Sequence, residues 1–389
     1  MSLQTPAPVP VPLGVEPPGA LARIVRADND LLFDATGRSW IDMFSANGAA
    51  LLGHVHPEIT SALQAQLQSV WLTGGLPTDA GDEAQAALES WLPTGLGLGG
   101  LYSTGMEASE FAQRIARVHT GRTDFIGFDN SMHGKSALTA ALGWANAPAS
   151  PRVHRLRAWP ERQTRAVLED VETCLRQHSV AAVFLEPVLG SGGGHVAPAD
   201  LCEGLLTLCR QHGSLLVVDE ILTGLHRTGP PLAFPPEPLV PDLLLLGKAL
   251  GNGFPVSAVA RRRDIGITPP MLAGSTYAGN PLAARAVTAT LAVLRQTDVA
   301  AQVASIHECM SATAASLPGA VLRGRGALWM LELPSTAMAQ ALLRSLYERG
   351  IFVSSTGPYL RLMPAVTLRP AHLARACQAL VEAYQELLA

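Results

Sequence analysis

The chain contains 389 residues with a formal net charge of -4, so it lacks the basic excess of a nucleic-acid-binding protein. Hydrophobic residues make up 48% of the sequence and charged residues 15%, which excludes a disordered chain and is typical of a well-buried globular protein. No apolar stretch is long enough to span a membrane, and we expect neither nucleic acid nor membrane as a partner.

The N-terminal segment is rich in proline and contains no lysine or arginine over residues 1–20. It therefore lacks the charged start of a signal peptide, and we predict a loosely ordered extension. The five cysteines are odd in number and show no Cys-x-x-Cys spacing. We therefore expect reduced thiols in a cytoplasmic protein, and no metal site.

The next segments predict an α/β fold. LLFDATGRSWIDMF predicts a hairpin around a turn at Asp34–Gly37. From about residue 100, short apolar runs alternate with amphipathic stretches. The predicted strands cover 124–128, 181–186, 214–219 and 243–247, and the predicted helices cover 105–118, 162–177 and 199–211. Continuous apolar strands between helices indicate a mainly parallel sheet that is buried on both faces.

The last part of the chain predicts a smaller α+β domain. Its helices are predicted at 282–296, 299–316, 337–349 and 371–388, and its strands in LWMLEL and YLRLM. We expect a large domain over 46–290 and a small domain that combines 21–45 with 291–389.

A glycine run at 95–100 formally satisfies the pattern GxGxxG. A dinucleotide site needs a strand, a glycine turn and then a helix, whereas here a helix-like stretch precedes the run and a short strand, LYS, follows it. We predict a flexible loop, which disfavours a dinucleotide-binding oxidoreductase. His54 and His56 could form a metal pair, but no cysteine or carboxylate cluster accompanies them.

Thr104 and Glu107 have the spacing of a capping box, which predicts that a helix begins at Gly105. An uncovered helix N-terminus after a glycine can bind a phosphate group. A plain helix start is the commoner explanation of such a pattern when it stands alone.

Lysine is scarce in this chain, since Lys135 and Lys248 are the only two. Imine formation needs a primary amine that can lose its proton, which arginine cannot supply. Lys248 and Asp219 each follow an apolar strand, where ligands of open α/β sheets bind. A structural ion pair would explain both residues. An amine, a carboxylate and a phosphate site together are what pyridoxal 5′-phosphate (PLP) requires.

Several ordered blocks resemble the class III aminotransferases, which are fold type I PLP-dependent enzymes. The strongest is LLVVDEILTGLHRTG followed by PDLLLLGKALGNGFPVSAV. The others are IDMFSANGAALLGHVHP, YSTGMEASEFAQRIARVHTGR, FLEPVLGSGGG, GSTYAGNPLAA and YLRLMP, and the resemblance covers about residues 20–389. Several motifs in the right order are harder to obtain by chance than one pattern.

The resemblance implies a role for each matching residue. Lys248 would hold PLP as a Schiff base and Asp219 would pair with the pyridine nitrogen, so that the ring accepts electrons. Arg361 would bind the substrate carboxylate. Thr276 would reach the phosphate of a neighbouring subunit, which implies a homodimer with a shared active site. The remaining cofactor contacts would be Thr104, Gly105, Met106, Met132, His133, Ile221 and Leu222. Glu186 and Arg227 match recurring positions to which no role is assigned.

Three residues depart from the family pattern. Met132 replaces an aromatic residue that stacks on the ring, and Leu222 replaces a frequent glutamine. Ser191, a candidate substrate contact, stands where several members carry a glutamate that covers the arginine. We hypothesise that Arg361 stays uncovered in both half-reactions.

The resemblance implies a ping-pong transfer of an amino group from an amino donor to a keto acid or aldehyde. An aminomutase on the same scaffold is the alternative, although aminomutases commonly lack the Arg-Thr-Gly found at 227–229. Met132 and Leu222 also leave open a catalytically weak or regulatory PLP-binding protein. No motif specifies the donor or acceptor.

Overall fold

The computed structural model describes residues 23–160, 162–236, 238–268, 271 and 275–389. The extension predicted over 1–20 lies outside the described residues. Within the described part of the chain, no helix combines the length and the apolar character that crossing a membrane requires.

A seven-stranded central sheet dominates the fold. In spatial order its strands are β4 (Leu96–Tyr102), β10 (Ser257–Arg262), β9 (Leu243–Leu246), β8 (Leu215–Asp219), β7 (Val180–Leu185), β5 (Asp124–Phe128) and β6 (Val153–Leu156). Strands β9, β8, β7, β5 and β6 are parallel to one another, whereas β10 is antiparallel to both β9 and β4. Every residue of β5, β7, β8 and β9 is buried. The mainly parallel, doubly covered sheet expected from the apolar runs is confirmed.

Helices cover both faces of this sheet. They are α1 (Ser45–Gly48, a short turn), α2 (Pro57–Leu67), α3 (Asp79–Glu89), α4 (Gly105–Thr120), α5 (Ala137–Ala141), α6 (Thr164–Gln177), α7 (Ala199–His212) and α8 (Pro281–Gln296). Helix α4 begins at the predicted capping box and ends at Gly121, whose φ of 69° closes the helix in the left-handed conformation. Its buried face, which includes Ala108, Ala112 and Ile115, packs on the sheet.

The glycine run at 95–100 corrects one prediction, because it forms strand β4 rather than a flexible loop. From Leu96 onward the run pairs with β10, whereas Gly95 lies in the turn that precedes the strand. A Cβ on Gly99 would lie 3.0 Å from the carbonyl oxygen of Val259, so a glycine permits the close approach of the two strands. Backbone pairing has overridden the low strand propensity of glycine. The glycines lie within the strand or just before it, and not in the turn that follows it, so they do not form a dinucleotide-binding loop.

Two small sheets accompany the central one. The first contains β1 (Ile24–Asp28), β2 (Leu31–Asp34), β3 (Ser39–Asp42) and β13 (Ile351–Phe352), and the second contains β11 (Val321–Arg325), β12 (Leu328–Glu332), β15 (Tyr359–Leu362) and β14 (Ser354–Thr356). Helices α9 (Val299–Ala314), α10 (Thr336–Glu348) and α11 (Pro370–Leu388) lie in the same part of the chain. The predicted N-terminal hairpin is confirmed. Because β3 pairs in parallel with β13, the hairpin is joined to the C-terminal region.

Candidate active site

The candidate site lies at the carboxyl edge of β8 and β9. Asp219 is the last residue of β8, and Lys248 follows β9 after Gly247 and begins a 3-10 turn over Lys248–Gly251. The two strands are parallel neighbours, with Asp219 opposite Leu245. Lys248 has a φ of 42°, which is uncommon for a residue with a side chain and is typical of a functional position. Because β8 and β9 are parallel neighbours, Asp219 and Lys248 lie at the same edge of the sheet, as predicted.

The charges around Lys248 explain how its amine can react. Desolvation by burial lowers the pKa of Lys248, while the carboxylates of Asp219 and Glu186 oppose that shift. The guanidinium groups of Arg361 and Arg227 lower the pKa of Lys248 further. An amine with a lowered pKa loses its proton more readily and is a better nucleophile.

Asp219 is buried and held by two hydrogen bonds. Its Oδ1 accepts a hydrogen bond from the Ile221 backbone N–H at 3.0 Å, and its Oδ2 lies 2.8 Å from His133 Nδ1. His133 is itself buried and packs edge-on against Phe184, with ring centroids 5.4 Å apart. Within the described residues, Nε2 of His133 has no hydrogen-bond partner. The histidine therefore fixes the orientation of the carboxylate.

The N-terminus of α4 leaves backbone donors available beside this pair. The Thr104 hydroxyl accepts a hydrogen bond from the Glu107 N–H at 3.1 Å, and the Glu107 carboxylate accepts one from the Thr104 N–H at 3.0 Å. The N–H groups of Gly105 and Met106 find no acceptor in the part of the chain that the structure describes. Two free N–H groups at a helix N-terminus form a binding site for an anion.

Ile221 connects the helix N-terminus to Lys248. A Cβ on Gly105 would lie 2.9 Å from Ile221 Cδ1, and one on Gly247 would lie 3.1 Å from Ile221 Cγ2. The side chain of Ile221 is therefore packed between the first residue of α4 and the residue that precedes Lys248. Met106 in turn lies against the loop after His133, since a Cβ on Gly134 would approach Met106 Cγ to 3.0 Å.

The three residues that depart from the expected pattern also lie around this site. Met132 is half-buried, and its backbone N–H donates to Glu186 Oε2 at 3.0 Å. Leu222 is half-buried and lies against Gly190, where a Cβ would approach its Cδ2 to 2.2 Å. Ser191 is half-buried and directly follows Gly190. The site is therefore more apolar at Leu222, and less rigid at Met132, than the family pattern implies.

Arg361 lies on β15 and is half-buried. Its Nε donates to Ser354 Oγ at 3.1 Å, and its guanidinium carbon lies 5.1 Å from the centroid of the Phe44 ring. Burial lowers the pKa of Arg361 to about 10. Among the ion pairs of the described residues, none joins Arg361 to a carboxylate. Its charge is thus available to a ligand that carries a carboxylate.

Thr276 is not brought to this site by the single chain. It is exposed in a turn that follows the central sheet, and no hydrogen bond to another described residue holds its side chain. Its predicted contact is with a neighbouring subunit, so it stays a prediction.

Two residues acquire structural detail that the sequence did not supply. Glu186 is buried, and desolvation together with the nearby Asp219 raises the pKa of Glu186 well above its ordinary range. Arg227 is fully buried and donates hydrogen bonds to the carbonyl oxygens of Gly48, Ala327 and Pro364. Arg227 therefore ties the loop after β8 to the N-terminal and C-terminal parts of the chain. In the sequence, the match of Glu186 and Arg227 to recurring family positions was the only indication of their importance.

The arrangement fits PLP. The free N–H groups of Gly105 and Met106 suit a phosphate group, and Ser103 Oγ beside them is buried without a partner among the described residues. Ile221 offers an apolar surface for one face of a ring, Asp219 a carboxylate for a pyridine nitrogen, and Lys248 an amine for an aldehyde.

The chain is also similar to known aminotransferases. Residues 15–384 match the family described as Aminotransferase class-III. The chain is 31% identical to acetylornithine aminotransferase from Myxococcus xanthus, over 88% of this chain and 87% of that protein. It is 32% identical to 5-aminovalerate aminotransferase from Pseudomonas aeruginosa, over 97% and 96% of the two chains.

A solved structure shows the same fold. The crystal structure of a transaminase from the marine bacterium Virgibacillus superposes with a TM-score of 0.87 at 20% identity, over 95% of this chain and 93% of that chain. The expected fold, a mainly parallel α/β sheet of fold type I, is confirmed by this similarity and by the strand order.

Proposed function

Because the chain belongs to the class III aminotransferases, which depend on PLP, we propose that Lys248 is the lysine that binds the cofactor covalently. The single observation that carries the proposal is the position of its amine. Lys248 lies at the carboxyl edge of the sheet beside Asp219, and desolvation lowers its pKa. The comparisons give no support to the aminomutase alternative.

PLP supplies, when bound, an aldehyde that reacts with amines and a ring that accepts an electron pair from the substrate. Lys248 would hold the cofactor through that aldehyde when no substrate is bound. The free Lys248 amine would then accept the proton from the substrate Cα and pass it to the cofactor carbon that had carried the aldehyde. The same amine therefore serves as nucleophile and as acid–base group.

Asp219 would keep a proton on the pyridine nitrogen of the bound cofactor through its negative charge. His133 and the Ile221 N–H hold the carboxylate in place, so that Asp219 needs no reorganisation during the reaction. The Gly105 and Met106 N–H groups would bind the phosphate, and Ile221 would offer an apolar surface to the ring. Met132 would offer the ring a flexible sulfur-containing side chain where the family pattern has an aromatic residue.

Arg361 binds the substrate carboxylate in both half-reactions. The support is its half-buried guanidinium, which has no carboxylate partner among the described ion pairs, and the serine at position 191. The relatives are named for acetylornithine, 5-aminovalerate and aminoadipate semialdehyde or glutamate semialdehyde. We therefore propose a donor whose amine is distant from its carboxylate, and a keto acid or aldehyde as acceptor.

A donor panel tests this function. The holoenzyme is mixed with 5-aminovalerate, other ω-amino acids, α-amino acids and simple amines, and the absorbance of the bound cofactor is followed. An amino donor that shifts this absorbance, followed by recovery when a keto acid is added, is the expected result. If no amine shifts it, the chain binds PLP without transferring amino groups, as the regulatory alternative requires.

Arg361→Ala tests carboxylate binding in the same assay. Loss of a charge-assisted contact should raise the Michaelis constants of carboxylate substrates about 10- to 100-fold in both half-reactions. A simple amine without a carboxylate provides the internal control, and its kinetics should change little. Unchanged Michaelis constants in both half-reactions would contradict the proposal that Arg361 binds the substrate carboxylate.

We further propose a homodimer with a shared active site, located in the cytoplasm. The support for the dimer is the exposed Thr276, which matches the family residue that reaches a neighbouring subunit. Sedimentation of the holoenzyme as a monomer at assay concentration would contradict it.

We also propose that the chain is divided into a large domain over 46–290 and a small domain that combines 21–45 with 291–389. The pairing of β3 with β13 supports this division.

A further inference from the structure

A cluster of metal-binding side chains lies at the outer edge of the central sheet. It consists of His154, Cys174 and His178, and one ligand atom from each side chain lies within 4.8 Å of the other two. His154 is on the edge strand β6, Cys174 is in the last turn of α6, and His178 caps that helix. Strands β5 and β7 separate β6 from β8, so the cluster is distant from Lys248 and Asp219.

The two ligands from α6 are held by the end of that helix. The His178 N–H donates to the Cys174 carbonyl oxygen at 3.0 Å, which places the two side chains four residues apart on the same face. The rings of His154 and His178 stack, with centroids 3.9 Å apart and planes inclined by 26°. The third ligand therefore lies directly beside the two from the helix.

A carboxylate orients His154. Its Nε2 lies 3.1 Å from Asp124 Oδ2, and the other carboxylate oxygen accepts hydrogen bonds from Thr123 Oγ1 at 2.8 Å and Arg152 Nη1 at 3.2 Å. Histidines that bind metals usually donate their second ring N–H to a carboxylate of this kind, which fixes the ring and leaves the other nitrogen to the ion. Asp124 supplies that support here.

The burial of the three residues leaves an entry path. Cys174 is buried, His154 is half-buried and His178 is exposed. An ion can therefore reach the thiol from solvent by passing the His178 ring. In a tetrahedral site the ligand atoms lie about 3.3–3.8 Å apart, so the present atoms must approach one another by up to about 1.5 Å. The exposed His178 ring can make that movement without disturbing the core.

We propose that His154, Cys174 and His178 bind Zn²⁺, with water as the fourth ligand. Two imidazole nitrogens and one thiolate suit zinc, whereas Mg²⁺ and Ca²⁺ prefer oxygen ligands. Bound zinc would join the edge strand β6 to the end of α6. Because the ion binds the folded chain better than the unfolded one, it raises the unfolding temperature.

Cobalt serves as the probe, since Co²⁺ takes the ligands of zinc sites and has visible absorption. The dialysed holoenzyme is titrated with Co²⁺ and then with Zn²⁺, and X-ray absorption at the cobalt edge counts sulfur ligands. The expected result is one Co²⁺ per chain in a four-coordinate site with one sulfur ligand, which Zn²⁺ displaces. Zn²⁺ should raise the unfolding temperature without changing the cofactor absorbance.

Matched variants decide whether these residues form the site. His178→Gln removes an exposed ligand and keeps the fold, so it should abolish both the cobalt spectrum and the zinc-dependent stabilisation. His119→Gln, at another exposed histidine in the last turn of a helix, should bind Co²⁺ as the parent does. Cys174→Ser should remove the sulfur ligand, and Cys309→Ser should retain it. A cobalt site without sulfur, or one unchanged in His178→Gln, overturns the proposal.

Discussion

The reactivity of individual residues in this site follows from the strands that precede them. Asp219 and Lys248 follow two neighbouring buried strands, and a charge at such a place is costly unless it meets a partner. Each of them lowers that cost for the other, since the Asp219 carboxylate opposes the fall in the pKa of Lys248. Burial thus prepares the Lys248 amine for nucleophilic attack, while its attraction to Asp219 limits the cost of burying the two charges.

Asp219→Asn tests the carboxylate at the pyridine nitrogen. The asparagine keeps the shape of the side chain and can keep its hydrogen bond to the Ile221 N–H, but it removes the negative charge. We expect kcat to fall on the order of 100- to 1,000-fold, because a neutral pyridine nitrogen accepts electrons less well. Measured kcat and the absorbance of the bound cofactor check this, and a kcat within about twofold of the parent would contradict it.

At the residue scale, the sequence indicated Lys248 and Asp219 but not the contacts between the residues around them. The strand ends and the scarcity of lysine pointed to Lys248 and Asp219. The hydrogen bond from the Met132 N–H to Glu186 could not be predicted, because it joins a loop to a strand end that lie 54 residues apart. The proximity of His154, Cys174 and His178 could not be predicted either, since these side chains come from a strand and the end of a helix and share no motif.

At the scale of elements, the start of α4 shows how one local pattern serves both folding and binding. The capping box satisfies the Thr104 and Glu107 N–H groups and leaves those of Gly105 and Met106 directed at a ligand. Ser257 on β10 donates to the Thr104 carbonyl oxygen at 2.6 Å and holds this end of the helix to the sheet. The cap thereby fixes the position of the anion site.

Thr104→Ala should weaken cofactor binding through the helix start. Loss of the cap costs about 1 kcal/mol of stability, and the Gly105 and Met106 N–H groups lose their fixed orientation. Thr78→Ala is the matched control, because Thr78 caps α3 in the same way by accepting from the Gly81 N–H at 3.1 Å. Both variants should lose similar stability, but only Thr104→Ala should release PLP faster on dialysis. Equal retention of PLP by the two variants would refute a role for this cap in binding.

Most elements could be predicted because their apolar periodicity is strong. The four buried strands of the central sheet and the helices after them lie within a few residues of the expected positions. Strand β4 was missed because its glycines carry no side chains that could show an alternating pattern. Its partner β10 supplies the hydrogen bonds that define it, and β10 lies about 160 residues away in sequence.

At the scale of the whole molecule, buried charges join distant parts of the chain around the site. Arg227 has no carboxylate partner among the described ion pairs and instead donates to three carbonyl oxygens from separate segments. Burial lowers its pKa to about 9. Such contacts between segments could not be derived from periodicity, and only the match of the Arg-Thr-Gly motif hinted at them.

Glu220 makes the stability of the whole fold depend on pH. Desolvation raises the pKa of Glu220 to about 7 from an ordinary 4.5, although hydrogen bonds from the Phe234 N–H and the Thr223 hydroxyl oppose the shift. The folded chain binds this proton more tightly than the unfolded chain does. Its contribution to stability is therefore complete below pH 4.5 and is lost as the pH rises to about 7.

Glu220→Gln should flatten that dependence, because glutamine stays neutral at every pH. Titration of Glu220 should lower the free energy of unfolding of the parent by roughly 3 kcal/mol between pH 4.5 and 7. The unfolding temperature, measured over this range, should therefore fall less in the variant than in the parent. Glu203→Gln, at an exposed glutamate on α7, should follow the parent. Parallel curves for the parent and Glu220→Gln would show that Glu220 does not titrate in this range.

Identification of the lysine that carries the cofactor tests the central claim most directly, because the chain has only two lysines. The holoenzyme is reduced with borohydride, which makes the bond between cofactor and lysine permanent, and the labelled peptide is identified by mass spectrometry. Lys135 lies in the loop after His133, with its Nζ 4.9 Å from the Trp144 ring centroid, and Lys135→Ala is the matched control. The account predicts one label per chain on Lys248, retained in Lys135→Ala and absent from Lys248→Ala. A label on Lys135, or one that persists in Lys248→Ala, would contradict it.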